Sequence, residues 1–442
     1  MNEQSLSAGN TGRSRREFLK TSTLVLAGGS ALAASAPLAF ATPHVGGSDV
    51  LKIGLIGCGD RGSGAAVDAL RADKNTKLVA MADLFADRLA NSLAELQKSE
   101  EVGSRIAVPK ERQFVGFDAY QQLIASGVDV VLLATPPHFR PLHLKAAVDA
   151  GKHVFTEKPV AVDAPGVRSV LATCEEAKKK SLSIVSGLCV RHLFPFKDYV
   201  KRIHDGAIGD IHTLQANDYR GTLWVKKRKP EWTEMEYQTR NWYYFTWLSG
   251  DFNVEQHVHM LDTCAWIMKD QYPVSAIGIG GRQVRTGPEY GNIFDHHSVV
   301  YEYADGAKLF ANTRQMAGCA GEVGVCLAGS KGLASLADRK GGVYIIADGK
   351  KQLCRIPKND PYLTEHEVLF ASIRSGTPVN NGEYMSKSTL LAILGRMATY
   401  TGQKITWEQA LTSKEDLTPP GGYKWGPTPI PSVAIPGVTQ FL

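Results

Sequence analysis

The feature that most constrains the fold of this chain is a glycine pattern, Gly57-x-Gly59-x-x-Gly62, between an apolar run and a helical run. The apolar residues at 52–56 predict a buried strand. Gly57 permits a tight turn, Gly59 lets a ligand approach the backbone, and Gly62 lets the following helix pack close to the strand. The amino terminus of that helix would then face phosphate groups. The pattern therefore predicts a dinucleotide site, although a β–α turn without a ligand can use the same glycines.

An acidic residue about 20 positions further on supports the dinucleotide interpretation. Asp83 directly follows the second predicted strand, 77–82. A carboxylate there accepts hydrogen bonds from the adenosine ribose hydroxyls and repels a 2′-phosphate, so we expect NAD, with NADP less favoured. Asp60 and Arg61, inside the glycine loop, are also expected to contact the cofactor.

Apolar strands alternate with helical stretches from 50 to 187, which predicts a parallel sheet covered on both faces. Beyond 188 the pattern predicts a mostly antiparallel sheet with helices on one face, including a helix near 256–269 and a hairpin turning at Asp305-Gly306. We therefore expect an α/β protein with a Rossmann domain at 50–187 and a second α/β domain, with a large open sheet, at 188–412. A proline- and glycine-rich arm at 413–442 would follow. The strand candidates of the first domain are 52–56, 77–82, 128–134, 153–156 and 182–186.

The first 41 residues have the pattern of an export signal. Arg15 and Arg16 precede an uncharged stretch rich in Ala, Leu, Gly, Ser and Thr, which closes on Ala39-x-Ala41. A membrane anchor or an ordinary secretory signal has similar features, but the paired arginines favour the twin-arginine pathway, which exports folded proteins. We expect a periplasmic or extracytoplasmic protein whose mature part is not inserted in the membrane.

Composition argues against several classes of protein. The formal net charge of +6 is too small and too dispersed to predict nucleic-acid binding. The seven cysteines are odd in number and have no CxxC pair, which argues against a disulfide framework or a zinc site. Folding in a reducing cytoplasm before export is compatible with free thiols.

Two further motifs follow predicted strands. Thr135-Pro136-Pro137-His138 comes directly after a buried strand, and Glu157-Lys158-Pro159 closes the segment 150–159. Charged residues at the carboxyl end of a parallel strand lie where such sheets bind ligands. A surface ion pair followed by proline is an equally acceptable interpretation of the second motif from its composition alone.

Together with the glycine loop and Asp83, these motifs resemble the Gfo/Idh/MocA oxidoreductase family, most strongly over 51–192. The resemblance implies a Rossmann domain followed by an α/β domain whose open sheet covers the nicotinamide. It also implies that Lys158 contacts substrate and cofactor. Thr135, Pro136, His138 and Glu157 are expected to contact the cofactor.

The family's second signature, Asp-x-x-x-His on a helix, is matched here by Glu255 and His259. Four residues apart, they are predicted to share one helix face, with His259 as the general base. Glu255 stands where the family usually has Asp, so its role as orienting carboxylate or substrate contact stays open. His257 is an extra imidazole to which we give a structural role or a secondary one near substrate. Two histidines two positions apart point to nearly opposite sides of a helix, so we expect no metal.

Substrate contacts are less well defined by the sequence. Arg191 aligns with a basic position near substrate in the family, and the stretch 240–247 is unusually aromatic. Trp242 and Tyr243 are candidates to pack against a sugar, although aromatic residues at this density are also typical of an ordinary core.

These patterns predict an exported NAD(P)-dependent oxidoreductase that exchanges hydride between a tightly bound cofactor and a sugar, glycoside or polyol. One alternative is a redox-neutral NAD-dependent glycosidase, like the family-109 glycoside hydrolases that resemble this family, in which oxidation, elimination, hydration and reduction follow one another. It would need an additional base, such as His257, His192 or a tyrosine near 243. A second alternative is an inactive cofactor-binding scaffold or sensor. The expected partners are a small carbohydrate or polyol, the twin-arginine machinery and further copies of the chain.

Overall fold

The structure is a computed structural model that describes residues 49–337 and 342–442. These residues fall within one compact unit, His44–Leu442. The predicted export signal, 1–41, lies outside the described residues, so export stays a prediction. Within the described ranges, no helix is both long enough and apolar enough to cross a bilayer.

The first sheet has six parallel strands in the order β3-β2-β1-β4-β5-β6. Their central residues, such as Ile53 and Leu132, are fully buried because helices cover both faces. The strands are β1 Leu51–Ile56, β2 Thr76–Asp83, β3 Gln113–Val115, β4 Val130–Leu133, β5 His153–Thr156 and β6 Ile184–Ser186. The helices between them are α1 Asp60–Ala72, α2 Ala86–Lys98, α3 Ala119–Ala125, α4 Arg140–Asp149 and α5 Ala164–Lys179.

The second sheet has nine strands in the order β14-β13-β12-β11-β7-β10-β9-β8-β15. All neighbouring pairs are antiparallel except β7 and β10. The predicted hairpin is confirmed: β9 and β10 pair with Glu302 opposite Lys308, and Gly306 in the turn has φ +89°. The strands are β7 Ile211–Arg220, β8 Ser275–Gly281, β9 His296–Glu302, β10 Lys308–Gln315, β11 Glu322–Gly329, β12 Gly332–Ala337, β13 Val343–Ala347, β14 Lys350–Leu353 and β15 Ile405–Thr406.

Helices cover one face of this second sheet. Val299 and Tyr301 on β9 point into that face and are buried, whereas Ile279 and Phe310 are exposed on the other. The predicted fold class, a Rossmann domain plus a domain with an open and mostly antiparallel sheet, is therefore confirmed. Self-association through the open face stays a prediction. The remaining helices are α6 Phe194–His204, α7 Glu234–Arg240, α8 Thr246–Ser249, α9 Phe252–Glu255, α10 Val258–Ile267, α11 Pro361–Ser375, α12 Gly382–Thr401 and α13 Trp407–Thr412.

Helix α11 packs against the first sheet, although it comes after the strands of the second. Its Leu369 and Phe370 are buried in the same apolar cluster as Phe155 and Val185. Ser372 Oγ also donates a hydrogen bond to Ser183 Oγ over 2.8 Å. A single sequence boundary near 187 therefore does not describe every contact of the Rossmann core.

The helix predicted near 256–269 is observed as α10, which begins at Val258. A short helix, α9, precedes it, and Gln256 and His257 separate the two. The N–H of His257 bonds to the carbonyl of Phe252, five residues back, so the turn is wider than a regular α-helical turn. This wide turn lies between Glu255 and His259, the two residues that the sequence predicts to share one helix face.

Candidate functional site

The glycine loop has the geometry that its sequence predicts. Gly57 has φ +99°, and a Cβ there would lie 2.6 Å from the carbonyl carbon of Ala134. A Cβ on Gly62 would lie 1.8 Å from the carbonyl oxygen of Gly57. A Cβ on Gly59 would meet only Arg88 Nη1, at 3.9 Å. Gly57 and Gly62 are thus required by packing, while Gly59 keeps the backbone open toward the cleft.

Replacing Gly62 with alanine is expected to lower the free energy of unfolding by about 3 kcal/mol, since the new methyl group overlaps the Gly57 carbonyl. The same change would displace the loop and weaken nucleotide binding. Denaturant titration with and without nucleotide measures both effects. Gly64→Ala is the matched control, because its Cβ would meet only the Arg61 guanidinium, at 3.7 Å and beyond, and alanine favours the helix. Equal stability of the two variants would contradict the packing argument.

Asp83 holds the loop that follows β1 against the end of β2. Its Oδ2 accepts a hydrogen bond from the N–H of Cys58 over 2.7 Å, and its Oδ1 accepts one from Phe85 over 2.8 Å. Burial raises the pKa of this carboxyl, although both backbone hydrogen bonds act in the opposite direction. Asp83 also lines the cleft. Its contact with a ribose stays a prediction.

A cleft of about 910 Å³ lies above the carboxyl ends of the parallel strands and is closed on its far side by the second domain. Most of the predicted cofactor and catalytic residues line it. They are Gly57, Gly59, Asp60, Arg61, Gly62, Asp83, Thr135, Pro136, Glu157, Lys158, Glu255 and His259. Trp242, predicted to contact substrate, lines it as well.

Lys158 and Glu255 form the central ion pair of the cleft. Lys158 Nζ lies 3.0 Å from Glu255 Oε1 and also donates a hydrogen bond to the main-chain carbonyl of Glu255 over 2.6 Å. Both side chains are largely buried. The lysine is thus held at two points, in front of the glycine loop.

Glu157 and Arg140 fix the segment that carries Lys158. Arg61 Nε lies 2.7 Å from Glu157 Oε1, which ties the glycine loop to the end of β5. Arg140 Nη1 donates a hydrogen bond to the carbonyl of Pro159, and the Lys158–Pro159 peptide bond is cis. Burial lowers the pKa of Arg140 to about 10, so the guanidinium remains charged at neutral pH. Sequence reasoning missed Arg140, although its position directly after the 135–138 motif was an available signal.

His259 lies on α10, beside the ion pair. Burial lowers the pKa of this imidazole well below its ordinary value, and the charges of Lys158 and Arg220 lower it further. The ring is therefore neutral at neutral pH. Its Nδ1 has no hydrogen-bond partner among the described residues, and the side chain lines the cleft. The group can accept a proton.

Two predicted contacts lie outside the cleft because other residues hold them. Arg191 makes a two-nitrogen ion pair with Asp262, at 2.8–3.1 Å, and another contact with Asp270 at 2.7 Å. His138 Nε2 lies 2.7 Å from Tyr423 Oη. Neither side chain lines the cleft, so the structure does not bring Arg191 or the His138 side chain to the other predicted site residues.

Tyr243 and His257 are also placed away from the cleft. The hydroxyl of Tyr243 accepts a hydrogen bond from Gln315 Nε2 over 2.8 Å, and the ring is buried in an aromatic cluster. His257 is fully buried, and neither ring nitrogen has a hydrogen-bond partner within the part of the chain that the structure describes. The wide turn before α10 rotates this side chain into the core. Neither side chain lines the cleft, so the structure does not bring Tyr243 or His257 to the other predicted site residues, and the position of His257 is compatible with the structural role considered for it.

Several cleft residues have no simple motif in the sequence. Phe85 and Phe117 come from loops after β2 and β3, and Arg88 comes from the first turn of α2. Trp224, Lys226, Trp232 and Arg240 come from the second domain. No group of three or more His, Cys, Asp or Glu side chains suited to a metal ion occurs within 49–337 and 342–442.

The fold and the cleft define a two-domain, nucleotide-binding α/β protein. Residues 51–185 match the family model GFO_IDH_MocA, described as an oxidoreductase family with an NAD-binding Rossmann fold. The matched residues contain the glycine loop, Asp83 and the Glu157-Lys158-Pro159 segment.

Relatives extend the similarity over more of the chain. A myo-inositol 2-dehydrogenase of Thermotoga maritima is 23% identical over 371 residues, which are 82% of this chain and 100% of that protein. A 2,7-anhydro-N-acetylneuraminate hydratase of Escherichia coli is 27% identical over 208 residues, 47% of this chain, and the match spans only 50% of the hydratase. An aldose-aldose oxidoreductase from Caulobacter crescentus, solved with glycerol, has a TM-score of 0.63 at 17% identity over 81% of this chain and 99% of that one. This last likeness shows a shared fold.

Proposed function

We propose that this protein is a nicotinamide-dinucleotide-dependent oxidoreductase that acts on a hydroxyl or carbonyl group of a sugar, glycoside or polyol. The observation that carries the proposal is the meeting of Lys158, Glu255 and His259 in the cleft that contains the glycine loop. The inositol dehydrogenase among its relatives supports a polyhydroxylated substrate.

The glycine loop fits a dinucleotide. Gly59 leaves its backbone open, the N-terminus of α1 points at the loop, and Arg61 borders it. A bound nicotinamide would supply the hydride acceptor and donor. We infer NAD in preference to NADP because the Asp83 carboxylate lies in the cleft and disfavours a 2′-phosphate.

The side chains of the cleft supply the acid–base part of the reaction. The Lys158 ammonium, held by Glu255, is placed to donate a hydrogen bond to a substrate oxygen and so favour loss of the hydroxyl proton. The neutral imidazole of His259 is placed to accept that proton. In the reverse direction the same groups deliver a proton to a carbonyl oxygen. Glu255 acts here as the residue that positions Lys158.

The redox-neutral glycosidase is the second candidate, and the hydratase among the relatives is the observation that favours it. Elimination requires a base besides the groups that assist oxidation. His257, His192 and Tyr243, the candidates from sequence, are all buried and do not line the cleft. None of these three side chains is therefore placed to act as that base, and the dehydrogenase or oxidoreductase, which needs no second base, is our first proposal.

The two candidates differ in what they release. We expect the purified protein, once denatured, to yield a nicotinamide dinucleotide, identified by chromatography. We expect the native protein to change its nicotinamide absorbance when a sugar or polyol is added. Aryl glycosides supplied without added cofactor are expected to release no aglycone; catalytic aglycone release would favour the glycosidase instead. Nucleotide binding without any reaction across the panel would favour the inactive scaffold, and failure to bind any dinucleotide would contradict all three.

A further inference from the structure

Two segments distant in sequence reach the end of the cleft at Asp83. Phe85 and Phe117 follow β2 and β3 and form the aromatic wall of that end. In a Rossmann domain the adenosine lies beside the acid that ends the second strand. We call this part of the cleft, lined by Asp83, Phe85 and Phe117, the adenosine end.

The first segment is helix α7, whose last residue is Arg240. Its guanidinium lies 3.8 Å from the centre of the Phe85 ring. The same group forms a two-point ion pair with Asp87, with nitrogen–oxygen distances of 3.0 and 3.1 Å. Arg240 is mostly buried by these contacts, although Asp87 is exposed. Helix α7 is thus attached to the loop at the start of α2.

The second segment lies in the C-terminal arm. The ring of Trp425 lies 4.8 Å from that of Phe117 and 5.7 Å from that of Phe85, measured between centroids. Tyr423 stacks on Phe117 at 6.0 Å. The arm therefore covers, from outside, the two rings that line the adenosine end.

The two segments are joined to each other. The N–H of Met235 donates a hydrogen bond to the carbonyl of Gly426 over 3.2 Å, and Gln238 Nε2 donates one to the carbonyl of Pro429 over 3.3 Å. Gln238 is itself fixed, since its Oε1 accepts a 2.7 Å hydrogen bond from Trp247 Nε1. Residues 234–240 and 423–429 thus form a closed ring of contacts with Phe85 and Phe117, which we call the arch.

We propose that the arch retains the dinucleotide in the cleft during turnover. The hydride and proton given up by one sugar or polyol hydroxyl group would then be taken by the carbonyl group of a second sugar, which is reduced to a hydroxyl, rather than leaving with a released nucleotide. The inference rests on the proposed function, because it needs a dinucleotide whose adenosine lies against Phe85 and Phe117. Release then requires the arch to open, either at Arg240 or at Trp425. Such contacts change the dissociation rate more than the association rate.

The test measures exchange of nucleotide rather than activity. Nucleotide-loaded protein is mixed with an excess of isotopically labelled NAD, and the bound fraction is followed by mass spectrometry over time. We expect Arg240→Ala to release nucleotide about 10-fold faster than wild type, and Trp425→Ala to do the same. Trp425 is about half exposed, so its replacement preserves the fold, which thermal unfolding verifies for each variant.

Arg374→Ala is the matched control. Arg374 also makes a two-point ion pair, with Asp73 at 2.9 and 3.3 Å, and does not line the cleft. Its loss is expected to leave exchange unchanged. The double variant of Arg240 and Trp425 is expected to exchange little faster than the faster single variant, since one opening is enough. If the rate increases of the two single variants multiplied in the double variant, the two contacts would act independently, which would contradict a closed arch.

The outcomes separate the retention proposal from the function on which it rests. A wild type that binds NAD but exchanges it as fast as Arg240→Ala overturns retention and leaves the oxidoreductase proposal standing. A wild type that neither contains nor binds a dinucleotide overturns both.

Discussion

Replacing Lys158 with methionine is expected to lower kcat about 10³-fold, the range for loss of a positioned acid–base group. Methionine keeps most of the side-chain volume but removes the ammonium that Glu255 holds at 2.6 and 3.0 Å. The glycine loop is unaltered, so nucleotide content is expected to remain. Steady-state kinetics, together with the nucleotide released on denaturation, measure the two quantities separately.

Lys145→Met is the control for this experiment. Lys145 also forms an ion pair, at 2.6 Å with Asp149, but on the exposed face of α4. Its replacement is expected to change neither kcat nor stability appreciably, because exposed pairs contribute little. If Lys158→Met turned over as fast as Lys145→Met, Lys158 would have no role in the chemistry.

Lowering the pH from 7 to 5 is expected to destabilise the fold steeply. Burial lowers the pKa of six histidines: to about 3 for His143, His257 and His366, to about 4 for His138 and His192, and well below its ordinary value for His259. Their unfolded pKa is about 6.5. Below that pH the unfolded chain binds protons that the folded chain does not, so the stabilisation present above pH 6.5 is lost as the pH falls toward 4. Each fully responding histidine contributes roughly 1.4 kcal/mol per pH unit.

Glu365 acts in the opposite direction. Burial and the nearby charge of Glu157 raise its pKa, so the folded state holds a proton there that the unfolded chain releases above its ordinary pKa. Its contribution therefore grows as the pH falls and offsets part of the histidine effect. Burial also raises the pKa of Asp68, Asp83, Asp163 and Asp218, which act in the same direction as Glu365. The net dependence between pH 7 and pH 5 follows the histidines, because their ordinary pKa of about 6.5 lies inside this range whereas that of a carboxyl group, about 4, lies below it.

Urea titrations at several pH values check this prediction. His366→Gln removes a ring that packs, tilted by 35°, against Phe155 at 4.1 Å between centroids, and it is expected to make the pH dependence of the unfolding free energy shallower. His212→Gln is the control, because His212 is exposed on β7. A free energy of unfolding that did not change between pH 7 and pH 5 would show that these imidazoles are not held neutral.

Short sequence patterns were enough to predict the elements whose geometry depends on neighbouring residues. The loop from Gly57 to Gly62, the strands around it and the hairpin at Gly306 depend on backbone geometry and on residues close in sequence. Lys158 and His259 were placed in one cleft by a family resemblance, and the structure brings both to its lining. The wide turn between Glu255 and His259 had no signal in their four-residue spacing.

The sequence could not indicate which way a side chain points from its strand, helix or loop. Arg191 faces Asp262 and Asp270 rather than the cleft, and His257 turns into the core at the wide turn. A basic or imidazole side chain near a motif can face either the cleft or the interior of the protein. The sequence does not show which carboxylates lie close enough in space to attract it. The arch was equally invisible, because Arg240 meets Asp87 and Trp425 meets Phe117 across separations of more than a hundred residues.

The interruption between α9 and α10 has a consequence for engineering this protein. In a continuous α-helix the carbonyl of Glu255 would accept a hydrogen bond from the N–H four residues ahead, at His259. With the helix broken, that carbonyl points at Lys158 Nζ instead. Substitutions that favour helix at 256–257 would ordinarily be chosen to make a protein more robust. In this protein such substitutions would direct the Glu255 carbonyl toward the His259 N–H and away from Lys158 Nζ. The irregular turn at 256–257 is therefore part of what positions the Lys158 ammonium group.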